Sequence, residues 1–82
     1  MKSRIIGKAF KDIIKHTNYK YDDFAPLVGL YGRQAVNHYL NHKTDNEWYY
    51  DDIRNWCRAL NLDMWRFMED VDRKRENLKA GN

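Results

Sequence analysis

Apolar residues recur at helical spacing along most of this 82-residue chain, and this periodicity restricts the fold more than any other feature. In SRIIGKAFKDIIKHT they fall at positions 5, 6, 9, 10, 13 and 14, the pattern of an amphipathic helix. In DNEWYYDDIRNWCRALNL they recur at positions 49, 53, 56, 57 and 60. No segment alternates with a period of two, so the sequence predicts an all-α protein.

Cap and turn residues indicate where the first two helices begin and end. Ser3 is suited to cap the first helix, and Gly7 within that helix suggests that another helix approaches closely. We expect Asp23 to cap the second helix, because Pro26 is then tolerated in its first turn. Gly29 suits the left-handed residue that closes a helix.

Three further helices are predicted after this turn. Gly32 occupies the N-cap position of a third helix that runs from residue 33 to about residue 42. In the fourth helix we expect Tyr49 to face inward with Trp56, whereas Trp48 falls outside the apolar stripe. Asp63 is a suitable cap for the fifth helix. The inward face of that helix consists of Met64, Phe67, Met68 and Val71.

Length and composition favour one small intracellular domain. With 43% hydrophobic residues the chain can form a core, which we place in residues 1–72. Residues 73–82 have little to bury, and we expect a flexible C-terminal tail. The chain has no apolar run near the ~20 residues of a membrane span. Its single cysteine, Cys57, and its first ten residues, MKSRIIGKAF, suggest a cytoplasmic protein without a secretory signal.

Charge is unevenly distributed along the chain. Residues 1–43 contain eight Lys/Arg against three Asp, a net charge of +5, whereas residues 44–82 have a net charge of −2. The basic half contains GLYGRQAVNHYLNHK, in which Val36 and Leu40 share one helical face and basic and amide side chains share the other. Such a face suggests a polyanion as partner.

The order of these helices resembles the helix-turn-helix domain of Cro and phage-lambda repressor. The resemblance covers about residues 4–70 and predicts a five-helix lambda-repressor-like fold. Its carriers are Phe24-Ala25, Val28-Gly29, Val36 with Tyr39-Leu40, Asn41, and the run RALNLDMWRFM.

The resemblance implies that the third helix reads double-stranded DNA in the major groove. The implied base-contacting residues are Arg33, Gln34, Asn37 and His38. The implied phosphate contacts are Lys20, Tyr21, Asn41, His42, Lys43 and Thr44. The candidate dimer interface contains Trp65, Phe67 and Met68.

We therefore expect a small transcriptional regulator of phage or mobile-element type, acting as a homodimer without a cofactor, a metal or a small-molecule ligand. No constellation supports enzyme activity, because Cys57 falls on a buried helical face and Asp51 and Asp52 diverge by about 100° around a helix. His38 and His42 have i, i+4 spacing, but structural zinc requires four ligands.

The alternative function is a protein-interaction module on the same fold, such as a phage-encoded antagonist, an adaptor or an antitoxin. Three features favour it. The turn from Gly29 to Val36 is one residue longer than is usual in the family, and Pro26 replaces a polar helix former. The aromatic residues Trp48 and Trp65, predicted to lie off the apolar stripes, are also typical of interfaces.

Overall fold

Helices account for all the regular secondary structure in the computed structural model, which describes residues 3–80. No strand occurs in this range, which confirms the all-α prediction. Short 3-10 segments at Ala25–Val28 and Asp45–Glu47 continue the second helix and precede the fourth. The five α-helices are α1 (Ile5–Lys15), α2 (Tyr21–Phe24), α3 (Gly32–Asn41), α4 (Tyr50–Ala59) and α5 (Met64–Ala80).

Aromatic side chains form the centre of the core. Phe10 of α1 is fully buried and stacks on Phe67 of α5, with 4.1 Å between the ring centroids. Trp56 of α4 lies 5.3 Å from Phe10 and 4.9 Å from Phe24 of α2. Such ring pairs add about 0.5–1.5 kcal/mol each beyond the burial of their surface. Tyr39 of α3 also stacks on Trp56, with 5.6 Å between the ring centroids. The aromatic residues therefore link all five helices.

Helix α1 is capped by a residue from a distant part of the chain. Its N-cap residue is Arg4, not the predicted Ser3, and the side chain of Arg4 forms no capping hydrogen bond. The backbone N–H of Ile6 instead donates to Oδ1 of Asp45 at 2.8 Å. Nη2 of Arg75 lies 3.2 Å from the other carboxylate oxygen of Asp45. One carboxylate thus links α1, the connection between α3 and α4, and α5.

Helix α2 begins three residues earlier than predicted, at Tyr21, so the predicted cap Asp23 lies inside it. The N-cap is Lys20. Pro26 lies in the first turn of the 3-10 segment that follows, where its missing N–H costs little. Gly29 closes the segment at φ 74°, in the left-handed conformation predicted for it.

Helix α3 packs closely on α1, as the glycine in α1 predicted. A Cβ atom at Gly7 would lie 2.8 Å from the carbonyl oxygen of Leu40 and 2.9 Å from that of Tyr39. The side chains of Val36 and Leu40 are buried, with 0% and 2% exposure. Val36 and Leu40 therefore fix the inner side of α3 against the core.

The positions of Trp48 and Tyr49 are the reverse of those predicted. Trp48 is buried, with 5% of its surface exposed, whereas Tyr49 is 72% exposed. Helix α4 begins only at Tyr50, and the two residues before it have extended backbone with ψ angles of 112° and 159°. Side chains alternate between the two sides of an extended backbone. The prediction instead extended the helical spacing of Trp56 to Trp48 and Tyr49, and therefore placed both side chains on the wrong side.

Helix α5 begins as predicted and ends later. Oδ1 of Asp63 accepts hydrogen bonds from the N–H groups of Trp65 and Arg66 at 2.9 and 3.3 Å, which confirms Asp63 as the cap. The helix continues to Ala80, although we predicted a flexible tail from residue 73. The ion pair between Arg75 and Asp45 gives this extension a contact with the body of the domain.

Candidate nucleic-acid interface

The predicted base-contacting residues share the exposed side of α3. Arg33, Gln34, Asn37 and His38 are all exposed, while the buried side chain of Val36 holds the opposite side. A shallow depression of about 270 Å³ lies between α2 and α3 and is lined by Tyr21, Arg33, Gln34 and Asn37. The structure therefore brings four hydrogen-bonding side chains and one phenol together on a single solvent-facing surface.

The first turn of α3 is fixed by a carboxylate from α2. The backbone N–H of Arg33 donates to Oδ1 of Asp22 at 3.1 Å. Helix α3 starts at Gly32, which has φ 76°, and Tyr31 takes the cap position that we predicted for Gly32. Because the first N–H groups of a helix lack partners within it, Asp22 supplies an acceptor at the positive end of the helix dipole.

This contact changes the electrostatics expected for the surface. The sequence contains no carboxylate between Asp23 and Asp45, so α3 carries no acidic side chain of its own. The fold brings the carboxylate of Asp22 to the start of α3. Sequence reasoning missed this neighbour, because the bond joins residues 11 positions apart on different helices.

The last turn of α3 is joined to α1 by a chain of side-chain hydrogen bonds. Nζ of Lys11 donates to Oδ1 of Asn41 at 2.6 Å, and Nδ2 of Asn41 donates to Oδ1 of Asn37 at 2.8 Å. Asn41, a predicted phosphate contact, therefore links α1 to the exposed side of α3. Lys11 was absent from the predicted site, although its outward position on α1 was visible in the charge pattern.

The other predicted phosphate contacts differ in their availability. Lys20 and His42 are exposed, and Tyr21 is partly buried at the edge of the depression. Thr44 is only 7% exposed, and its hydroxyl donates to Oε1 of Glu47 at 2.8 Å. The hydroxyl of Thr44 therefore serves the turn before α4 and is not presented to a ligand.

Lys43 is also committed to contacts within the domain. Its ammonium lies 3.3 Å from Oδ2 of Asp52 and 3.8 Å from the ring centroid of Tyr39, and only 12% of its side chain is exposed. The rings of Trp48 and Tyr49 lie 5.7 and 5.9 Å from the same nitrogen. Cation–π attraction and the ion pair both favour this arrangement. Lys43 is thus a structural cation and does not present a free charge to a phosphate.

His38, His42 and Cys57 are side chains of the types most suited to metal binding or nucleophilic chemistry. The rings of His38 and His42 stack with centroids 6.1 Å apart. Within the part of the chain that the structure describes, no group of three His, Cys, Asp or Glu residues could hold a metal. Burial, with a smaller contribution from the charge of Asp63, raises the pKa of Cys57 to about 11, so its thiol stays protonated at neutral pH.

The three candidate dimer residues have different environments. Trp65 is 77% exposed, in the first turn of α5. Met68 is partly buried against the core. Phe67 is 6% exposed and stacks on Phe10, so it belongs to the core and offers little surface to a partner.

Comparisons with protein-family models, with curated proteins and with solved structures yield no match for this chain. Among residues 3–80, no helix is long and apolar enough to cross a membrane.

Proposed function

We propose that this chain is a lambda-repressor-like helix-turn-helix protein that binds double-stranded DNA sequence-specifically in the cytoplasm, as a small transcriptional regulator of phage or mobile-element type. The observation that carries the proposal is the exposure of Arg33, Gln34, Asn37 and His38 on one side of α3. On the opposite side of this helix, the side chains of Val36 and Leu40 are buried in the core. A rigid helix that presents donors and acceptors in this way suits the major groove.

The proposed readout follows from side-chain chemistry. Arg33 can donate two hydrogen bonds to N7 and O6 of guanine, while Gln34 can donate to and accept from adenine. Asn37 is held by Asn41, so its amide orientation is restricted before binding. Lys20 and His42, the exposed members of the predicted phosphate set, would contact the backbone on either side of the groove.

A selection of bound sequences from a random duplex pool tests this function. We expect enrichment of one half-site, repeated in a palindrome about one helical turn apart if the protein binds as a dimer. Arg33→Ala should weaken binding to the selected sequence by about 1–3 kcal/mol and relax the preference at one base pair. Lys79→Ala, at the far end of α5, is the matched control. Recovery of random sequence would reject specific readout.

The proposed homodimer rests on Trp65, whose indole is largely in solvent. Exposed aromatic residues are enriched at protein interfaces. Sedimentation equilibrium should show Trp65→Ala shifted toward monomer, whereas Tyr50→Ala, which removes another ring that is 65% exposed, should behave like the wild type. A wild-type protein that remains monomeric at high concentration would remove this part of the proposal.

A second candidate function, a protein-interaction module, is favoured by the turn before α3. Tyr31 is 95% exposed and Leu27 is 50% exposed, close in sequence to Arg33. Tyrosine and arginine are characteristic of protein interfaces, and the carboxylate of Asp22 at the start of α3 would be repelled by phosphate. An antagonist, adaptor or antitoxin would fail to retard any duplex at low salt and would co-purify with a protein partner.

A further inference from the structure

Four exposed cations lie along the outer side of α1, and the first three of them line the groove between α1 and α3. Arg4, Lys8 and Lys11 follow i, i+4, i+7 spacing, which aligns them on one side of the helix, and all three are exposed. Among residues 3–80, none of the three forms an ion pair. We call these three residues the α1 stripe.

Three other cations of the domain form ion pairs within the fold. Lys43 is paired with Asp52, Arg73 with Asp70, and Arg75 with both Asp45 and Asp72. Part of the positive charge of the chain is therefore neutralised by ion pairs within the fold. The α1 stripe retains its charges in solvent, where a polyanion would meet them.

The α1 stripe is continuous with the exposed side of α3. A groove of about 310 Å³ separates the two helices and is lined by Arg4, Lys8, Lys11, Asp12, Leu40 and Asn41. The hydrogen bond from Lys11 to Asn41 crosses this groove at 2.6 Å, and the hydrogen bond from Asn41 to Asn37 continues along α3 at 2.8 Å. Asp12 is the one carboxylate in the lining, against three cations. The groove and the proposed base-reading side thus form one surface of net positive charge.

We propose that the α1 stripe binds the sugar-phosphate backbone beside the major groove that α3 reads, so that α1 is a second nucleic-acid-binding element. This inference rests on the proposed function. Along a helix, successive cations of the stripe are separated by roughly 6 and 4.5 Å. Phosphates of one strand rise about 3.4 Å per nucleotide, so flexible Lys and Arg side chains reach neighbouring phosphates from these positions.

Lys11 differs from the other two members, because it also positions Asn37 through Asn41. Its loss should reduce both the electrostatic attraction and the fixed orientation of the Asn37 amide. Arg4 and Lys8 have no such link to α3, so their loss should affect only the sequence-independent attraction. The stripe therefore contains two purely electrostatic residues and one that also positions a base contact.

The test is the salt dependence of duplex binding, measured with the selected sequence and with a scrambled duplex. Arg4→Ala and Lys8→Ala should each reduce the slope of log affinity against log salt by about 0.9, equally for both duplexes. Lys11→Ala should reduce the slope by a similar amount and also reduce the preference for the selected duplex. Lys79→Ala on α5 is the control, since Lys79 is exposed and does not line the groove, whereas Lys15 continues the same side of α1 as the stripe.

The outcomes separate this inference from the proposed function. If the wild type retards no duplex at low salt, the proposed function and the inference both fail. If the wild type binds duplex and the double variant Arg4→Ala, Lys8→Ala keeps the wild-type slope, only the inference is overturned. Thermal unfolding of each variant verifies that a reduced slope does not come from loss of fold.

Discussion

Asp22 of α2 accepts a hydrogen bond from the backbone N–H of Arg33 at 3.1 Å, so the start of α3 is held by a side chain from the preceding helix. The bond replaces a local cap, because Tyr31 at the cap position contributes no side-chain hydrogen bond. It thereby fixes the angle at which α3 leaves a turn containing two glycines with positive φ.

Asp22→Ala should destabilise the protein by about 0.5–1 kcal/mol, the lower half of the range for lost helix caps, since the bond is exposed to solvent. Urea unfolding measures this change. Asp23→Ala removes the neighbouring carboxylate, which is exposed, and should have little effect. Equal losses in the two variants would show that general charge near α2, and not this hydrogen bond, is responsible.

Gly7→Ala should destabilise the protein by roughly 1–3 kcal/mol, as overpacking does. The new Cβ would meet the carbonyl oxygens of Leu40 and Tyr39 at 2.8 and 2.9 Å, and these are backbone atoms that cannot rotate away. In an exposed helix the same change would stabilise by about 1 kcal/mol. Thermal or urea unfolding decides the sign, with Lys8→Ala as the control at the next, exposed position. A stabilised Gly7→Ala variant would contradict the close approach of α1 and α3.

Asp45→Ala should cost about 1–3 kcal/mol, because it leaves the N–H of Ile6 and Nη2 of Arg75 without their acceptor. The carboxylate is only 10% exposed, so water replaces it poorly. Asp70→Ala breaks an exposed ion pair with Arg73 and should cost less than about 1 kcal/mol. Comparison of the two unfolding free energies checks the prediction, which fails if the variants are equally stable.

Stability should fall at alkaline pH partly because of Cys57. Its pKa is raised from 9.0 to about 11 in the folded protein, so between these values the unfolded chain releases a proton that the folded chain retains. The free energy of unfolding therefore decreases by up to roughly 1.4 kcal/mol per pH unit in this window and is unaffected below it. Other groups titrate here as well, so the measurement is the difference in slope between the wild type and Cys57→Ala. Parallel curves would show that the thiol does not contribute.

Local features of the fold were predictable from sequence. The apolar spacing gave the inward face of α1, Gly29 closed a helix in the left-handed conformation, and Asp63 capped α5. Each depends on residues within one or two turns of each other. The physical rule that identifies such a feature therefore needs no knowledge of the rest of the fold.

Long-range contacts account for what sequence reasoning missed. Asp45 caps α1 across 39 positions, and Lys11 meets Asn41 across 30, so no local pattern indicates either contact. Lys43 was predicted to contact phosphate as a free charge, because its contacts with Asp52 and Tyr39 form only in the folded chain. The misplaced pair, Trp48 and Tyr49, came from extending helical spacing past the true start of α4 at Tyr50.

Helix α3 is anchored at its first turn by a backbone bond to Asp22 and at its last by Asn41, while the exposed side chains of Gln34 and His38 take no part in either anchor. Substitutions at these two positions should therefore leave the scaffold intact. The domain can exchange the chemistry that it presents there in single mutational steps, so its surface is free to diversify in evolution much faster than its architecture.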